Sequence, residues 1–164
     1  MIRKCRQSEF QMIVEIINDA ARVYRDVIPA DCWHEPYMSR EQLKKEIEQG
    51  VVFWGFEIDS KLVAVMGIQD KGDVRLIRHA YVKTRFQCQG IGMRLLQHLE
   101  STGDKPILIG TWADAGWAIA FYQKNGYQLL TKADKDRLLE KYWRIPTRQV
   151  QSSVVLADKK WVDT

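Results

Sequence analysis

Cysteine is scarce and unpaired in this chain of 164 residues: Cys5, Cys32 and Cys88 are odd in number, widely spaced and without a Cys-x-x-Cys pair. That pattern suits reduced thiols better than a disulfide framework or a cysteine-based zinc site. Long apolar runs are absent as well. No segment approaches the roughly 20 apolar residues needed to cross a bilayer, and the stretch from Met1 to Ser8 lacks the apolar core of a signal peptide. The expectation is a cytoplasmic protein with no membrane partner and no metal. Charge of one sign is not massed either. The formal net charge is +4, and basic residues alternate with acids over 44–48 and 134–137. A nucleic-acid interface needs a concentrated basic face, so nucleic acid is not an expected partner. The small excess is compatible with an anionic small ligand. Internal repeats and low-complexity segments are also missing.

What is present is an ordinary globular composition, 46% apolar and 28% charged, in a length suited to one domain spanning 1–164. Ser8 and Gln11 read as a capping box, followed by Phe10, Ile13, Ile17, Ala20, Ala21 and Tyr24 at helical spacing. From Arg25 to Met38 the pattern gives way to a long connection carrying Trp33, His34 and Tyr37. Such aromatic loops either line small-molecule pockets or anchor the loop to the core. Ser39 with Gln42 predicts a second helix, which Gly50 ends. Val51 to Ile58 and Leu62 to Ile68 predict a hairpin around Asp59 and Ser60, its second strand buried on both faces.

A strand over Val74 to Lys83 then runs into a turn with Gly90 and Gly92, and Ile91, Leu95, Leu96 and Leu99 form one face of a helix. Strand, glycine turn and helix in this order make an anion cradle. Glycine lets a ligand approach the backbone closely, and the first amides of a helix have no intrahelical acceptor and sit at the positive end of its dipole. Further on the pattern predicts a strand at Pro106 to Trp112, a helix at Trp117 to Asn125 and a strand at Tyr127 to Leu130. A helix at Asp134 to Trp143 and a last strand at Gln149 to Leu156 complete the chain.

The run Gln87, Cys88, Gln89, Gly90, Ile91, Gly92 matches the pattern Gln/Arg-x-x-Gly-x-Gly/Ala. The segment from Ala118 to Tyr127 matches Ala-x-x-Phe-Tyr-x-x-x-Gly-Phe/Tyr. Together, with a strand before the first and a helix under the second, they resemble the GNAT superfamily of acetyltransferases over nearly the whole chain. The resemblance implies an α/β (α+β) fold with a mixed, mostly antiparallel twisted sheet flanked by helices. It implies an N-acetyltransferase that moves an acetyl group from acetyl-coenzyme A to a primary amine of a small molecule or peptide, by direct attack in a ternary complex.

On that resemblance the amides of Cys88, Gln89, Gly90, Ile91, Gly92 and Met93, with Gln87, hold the pyrophosphate, and the pantetheine runs along Tyr81, Val82 and Lys83. Tyr122 aligns with the tyrosine that many members use as general acid toward the departing thiolate. A phenol stays protonated at neutral pH and can serve so; by itself a tyrosine at this spacing also suits core packing. The frequent asparagine seven residues before it is Ala115 here. Trp112 and Trp117 flank that position and belong either to the cofactor site or to the core.

Attack by an amine requires a base. His79, on the strand and titrating near neutrality, is the expected one, with Asp73 and Glu57 as alternatives. Cys88 admits a covalent route, which its place among the pyrophosphate-binding amides disfavours. The segment 132–149 reads as a helical insertion that walls the acceptor site together with 25–38, or else as a contact of a homodimer. A catalytically weak acyl-coenzyme A sensor with the same fold is the alternative reading.

Overall fold

The computed structural model describes all 164 residues, and their contacts divide the chain into two compact units. The first comprises Met1–Val23, His34–Asp70 and Ile77–Asp104. Its elements are β1 (Ile2–Lys4), α1 (Phe10–Ala21), α2 (Arg40–Glu48), β2 (Val51–Ile58), β3 (Lys61–Asp70), β4 (Arg75–Val82, whose first two residues belong to the second unit) and α3 (Ile91–Ser101). The second comprises Tyr24–Trp33, Lys71–Leu76 and Lys105–Thr164. It holds β5 (Ile107–Trp112), α4 (Gly116–Lys124), β6 (Gln128–Leu129), α5 (Lys132–Leu138), α6 (Thr147–Gln151), β7 (Ser153–Ala157) and α7 (Lys159–Val162). The strands follow the order β1-β2-β3-β4-β5-β7-β6 in a seven-stranded, mostly antiparallel sheet.

In the first unit the β2–β3 hairpin turns at Asp59 and Ser60, both with positive φ, as the short connection predicts. Val63 to Met66 on β3 are all buried, the signature of a strand covered on both faces. Ile13 and Ile17 from α1 and Leu43 from α2 pack with Phe53, Leu62 and Val65 into one core. Each such side chain contributes roughly 1.5–3 kcal/mol by leaving water. The connection before α2 is pinned by Asn18, whose side chain donates to Met38 O at 2.9 Å and accepts from Met38 N at 2.8 Å. Tyr37 packs against this core and so anchors its loop. Ser39 caps α2 as expected, Oγ accepting from Gln42 N at 3.1 Å.

Two features of this unit differ from the sequence expectation. The capping box at α1 is not Ser8 with Gln11: the chain makes a 3₁₀ turn over Gln7–Glu9, and the Glu9 carboxylate accepts from Arg6 N at 2.6 Å. Glu9 is drawn there by Arg3, which also holds Glu57, with Nη2 at 2.7 and 2.6 Å from the two carboxylates. Strand β1, in turn, has no periodicity of its own and exists by pairing with β2, Ile2 opposite Phe56 and Lys4 opposite Trp54.

In the second unit β7 lies antiparallel to both β5 and β6. The helix expected at Asp134 to Trp143 forms as α5 and a π-helical turn over Leu139–Trp143, closed by Arg144 at φ +54°. Its apolar side chains are spent on this unit's core, where Leu138, Leu139 and Tyr142 meet Val155 and Ala157. The Trp143 ring lies so close to β5 that a Cβ on Gly110 would stand 3.2 Å from it. The strand expected at Gln149 to Leu156 is corrected: residues 147–151 are helical and β7 begins at Ser153. Pro146 starts that helix, its carbonyl accepting from Gln149 and Val150 N at 3.0 and 3.1 Å. The strand expected at Tyr127 to Leu130 shortens to Gln128–Leu129.

Candidate active site

Beyond the end of β4 the chain is tied down at every step. Lys83 N donates to Val63 O at 2.9 Å. Thr84 donates through both N and Oγ1 to Asp19 Oδ2 of α1, at 2.8 and 3.1 Å. Burial opposes ionisation of Asp19, but the two bonds from Thr84 and the contact with Arg22 outweigh it and hold the carboxyl below its ordinary range. Gln87 turns back to donate from Nε2 to Val82 O at 3.1 Å, so its side chain closes the loop. Cys88 at φ +62° and Gly90 at φ +79° then reverse the chain into α3.

The first bond of α3 is Arg94 N to Gly90 O, 3.1 Å. The N–H groups of Ile91, Gly92 and Met93 therefore precede any intrahelical acceptor, at the positive end of a helix of 11 residues. At Gly90 itself there is room: a Cβ built there meets nothing within 4 Å. Ile91 and Leu95 are buried and fix the helix, while Cys88, Gln89 and Met93 are exposed. Arg94 lies over the Phe56 ring at 4.8 Å and Arg85 over Phe86 at 5.0 Å, so both cations start from aromatic rests. Amides without intrahelical acceptors at a dipole's positive end are the kind of donors an anion takes up, and the chemistry of these residues is compatible with the diphosphate of a coenzyme.

His79 sits in the middle of β4 at φ +57°, a conformation few non-glycine residues adopt within a strand. Neighbours on a regular strand point to opposite faces. Here Arg78 and His79 both reach the same oxygen, Glu46 Oε1 of α2, Arg78 Nη2 at 2.6 Å and His79 Nε2 at 3.0 Å. Arg78 also donates from Nη1 to Gln69 Oε1 of β3 at 3.3 Å. The imidazole lies nearly parallel to Phe53 and Tyr81, with ring centroids 6.2 and 6.5 Å away. Burial alone would push the Glu46 carboxyl up; the hydrogen bond from His79 and the charges of His79 and Arg78 hold it below its ordinary value instead.

Of the alternative bases, Glu57 is held by Arg3, and Asp73 is exposed with Lys141 Nζ 3.8 Å away.

In the second unit Tyr122 is buried on α4, with Phe121 and Tyr127 edge-on at 5.1 and 6.0 Å. Burial, helped by the neighbouring Tyr24, raises its phenol above the ordinary value, so it remains a proton donor at any physiological pH. Ala115 is 0% exposed, and its carbonyl accepts from the amides of Ala118 and Ile119 at the start of α4. Trp112 is buried, whereas Trp117 is 46% exposed and stacks on Tyr24 at 5.9 Å.

The first unit thus gathers His79, Tyr81, Val82, Lys83 and the loop from Gln87 to Met93, while Tyr122 belongs to the second unit. Three residues escape a sequence reading. Glu46 lies in the charged run 44–48 and reads as solvated, yet it is 5% exposed. Arg78 carries no motif that would single it out, and Asp19 is 65 positions from the Thr84 it binds. Only the burial of one helical glutamate, invisible in a pattern of isolated charges, would have marked the first.

Comparison with known proteins identifies the family and the fold. Residues 11–137 match the family model described as Acetyltransferase (GNAT) domain. The fold is that of the PaiA N-acetyltransferase of Thermoplasma acidophilum in complex with coenzyme A, with a TM-score of 0.72 and 19% identity over 97% of this chain and 98% of that one. It is also that of the ribosomal-protein-S18-alanine N-acetyltransferase of Escherichia coli, with a TM-score of 0.65 and 18% identity over 96% of this chain and 92% of the other. N-acetylglutamate synthase of Neisseria gonorrhoeae, complexed with coenzyme A and N-acetyl-glutamate, matches with a TM-score of 0.65 and 18% identity over 98% of this chain and 35% of that one. Enzymes of this family use acetyl-coenzyme A as the acyl donor. With the family model spanning most of its length, this chain belongs to the GNAT acetyltransferases.

Proposed function

We propose that this protein transfers the acetyl group of acetyl-coenzyme A to a primary amine of a small molecule or peptide, by direct attack in a ternary complex. The observation that carries the reading is the start of α3, where the amides of Ile91, Gly92 and Met93 precede the first helical hydrogen bond and follow the left-handed Gly90, whose Cβ position is open. Acetyl-coenzyme A supplies the acyl group as a thioester. The loop residues Gln87, Cys88, Gln89, Gly90, Ile91, Gly92 and Met93 hold the diphosphate through the backbone, and Tyr81, Val82 and Lys83 align the pantetheine arm. His79 takes the proton that the acceptor ammonium must lose before it can attack. Tyr122, a phenol kept protonated by its burial, donates to the leaving thiolate and also contacts the cofactor. Cys88 takes no acyl group, so Cys88→Ala retains transfer.

The test is an acetyl-coenzyme A-dependent thiol-release screen across small amines, amino acids and peptide N-termini. Amine-dependent release supports the reading. Cofactor binding with no release for any amine leaves the acyl-coenzyme A sensor in its place.

A further inference from the structure

Glu46 is the most buried carboxylate of the first unit, and two cationic or protonatable groups from β4 converge on one of its oxygens. Arg78 Nη2 lies 2.6 Å from Oε1, and the side chains of Glu46 and Arg78 are 7% and 16% exposed. A guanidinium at that distance keeps the carboxylate ionised, and an ionised carboxylate only accepts hydrogen bonds. The contact at 3.0 Å must then carry a hydrogen on His79 Nε2. In the neutral ring one nitrogen donates and the other accepts, so a proton fixed on Nε2 leaves Nδ1 as the basic nitrogen. The left-handed backbone at His79 and the near-parallel rings of Phe53 and Tyr81 restrict rotation of the imidazole.

We infer that Glu46 is a positioning residue for the acetyl-transfer base: through Nε2 of His79 it selects the tautomer and orientation in which Nδ1 accepts the acceptor's proton. The inference rests on the proposed function, and it deepens it by adding a residue of α2 that acts through His79. When Nδ1 takes the proton from the ammonium, the amine lone pair is freed for attack. The resulting imidazolium keeps its Nε2 hydrogen bond to Glu46, so the charge forms beside an anion already in place. The charged and titratable groups around the ring are Glu46 from α2 and Arg78 and Tyr81 from β4; β2 contributes only the Phe53 face.

The experiment pairs imidazole ¹⁵N NMR with pH–rate profiles in the full chain, for wild type, Glu46→Gln, His79→Ala and the two substitutions combined. Wild-type His79 is expected to hold its neutral-state proton on Nε2. Loss of the anionic partner in Glu46→Gln is expected to move its titration, and the acid limb of kcat/KM, down by roughly one pH unit. In the His79→Ala background Glu46→Gln is expected to cost nothing further, as for groups acting through one another. A wild-type proton on Nδ1, or an unmoved titration in Glu46→Gln, overturns the inference. If no amine releases thiol the proposed function fails instead, and the NMR titration alone still decides whether Glu46 controls His79. Coenzyme A affinity, expected to be unchanged, serves as the control for folding.

Discussion

Gly90→Ala separates the two things that Gly90 does, turning the chain and leaving room above it. Its φ of +79° is a left-handed conformation that costs an L-residue with a Cβ roughly 1–2 kcal/mol. No heavy atom lies within 4 Å of the added methyl, so no clash adds to the strain. Gly72 offers a matched control, at φ +90° and with equally open space, in the turn before β4. Both variants are expected to lose about 1–2 kcal/mol, a fall in Tm of roughly 2–8 °C for a chain of this size.

Coenzyme A binding should distinguish them. A methyl on Gly90 stands where the diphosphate is proposed to meet the amides of Ile91 and Gly92. Losing one charge-assisted hydrogen bond costs about 1.5–3 kcal/mol, which is roughly a 10- to 150-fold rise in Kd. Isothermal titration with coenzyme A, beside thermal unfolding, reads both quantities. Equal affinities for Gly90→Ala and Gly72→Ala, at matched losses of stability, would refute the placement of the diphosphate on this loop.

Other consequences are checked separately. Tyr122→Phe keeps the ring packing and the ring's proposed contact with the cofactor and removes only the proton donor, so turnover should fall by about 10²–10⁴-fold with coenzyme A affinity little changed; unaltered turnover would remove Tyr122 from the mechanism. Asn18→Ala loses both hydrogen bonds to Met38, a cost of about 1–3 kcal/mol in urea unfolding, and a loss below a few tenths would show the connection to be held elsewhere. The hydrogen bonds from Arg3 lower the Glu9 carboxyl from 4.5 to about 2. Because the folded value is the lower one, this contribution is complete above about pH 4.5 and vanishes as pH falls toward 2. Glu9→Gln should flatten the acid limb of stability against pH across that window, and an unchanged limb would assign it to other carboxylates.

Much of the fold is legible because local signals and tertiary demand coincide. Ser39 caps α2, Gly50 follows it, Asp59 and Ser60 turn the hairpin, and β4, the glycine loop and α3 stand where the residues put them. The misses have a common cause, which is that a partner elsewhere in the chain decides. Strand β1 exists only against β2, and Glu9 caps the 3₁₀ turn at Arg6 because Arg3 holds it there. Val150 looks like a strand residue, yet Pro146 starts a helix and the hydroxyl of Ser153 donates to Gln149 O at 2.6 Å, ending it. At the site the loop motif and the strand histidine can be read from their types and spacing. Glu46 cannot, since its burial depends on Arg78 and His79 more than 30 positions away and on a backbone reversal at His79 that no side-chain pattern encodes.

The stoichiometry of transfer is the most direct test of acetyl transfer to an amine. Free thiol and acetylated amine are followed in one reaction by colorimetry and mass spectrometry, with acetyl-coenzyme A and the best amine of the screen. The expected result is equimolar appearance of both products, dependent on the amine and abolished in a Tyr122→Phe, His79→Ala double variant that still binds coenzyme A. Thiol without acetylated amine, or tight cofactor binding with neither product, would contradict it.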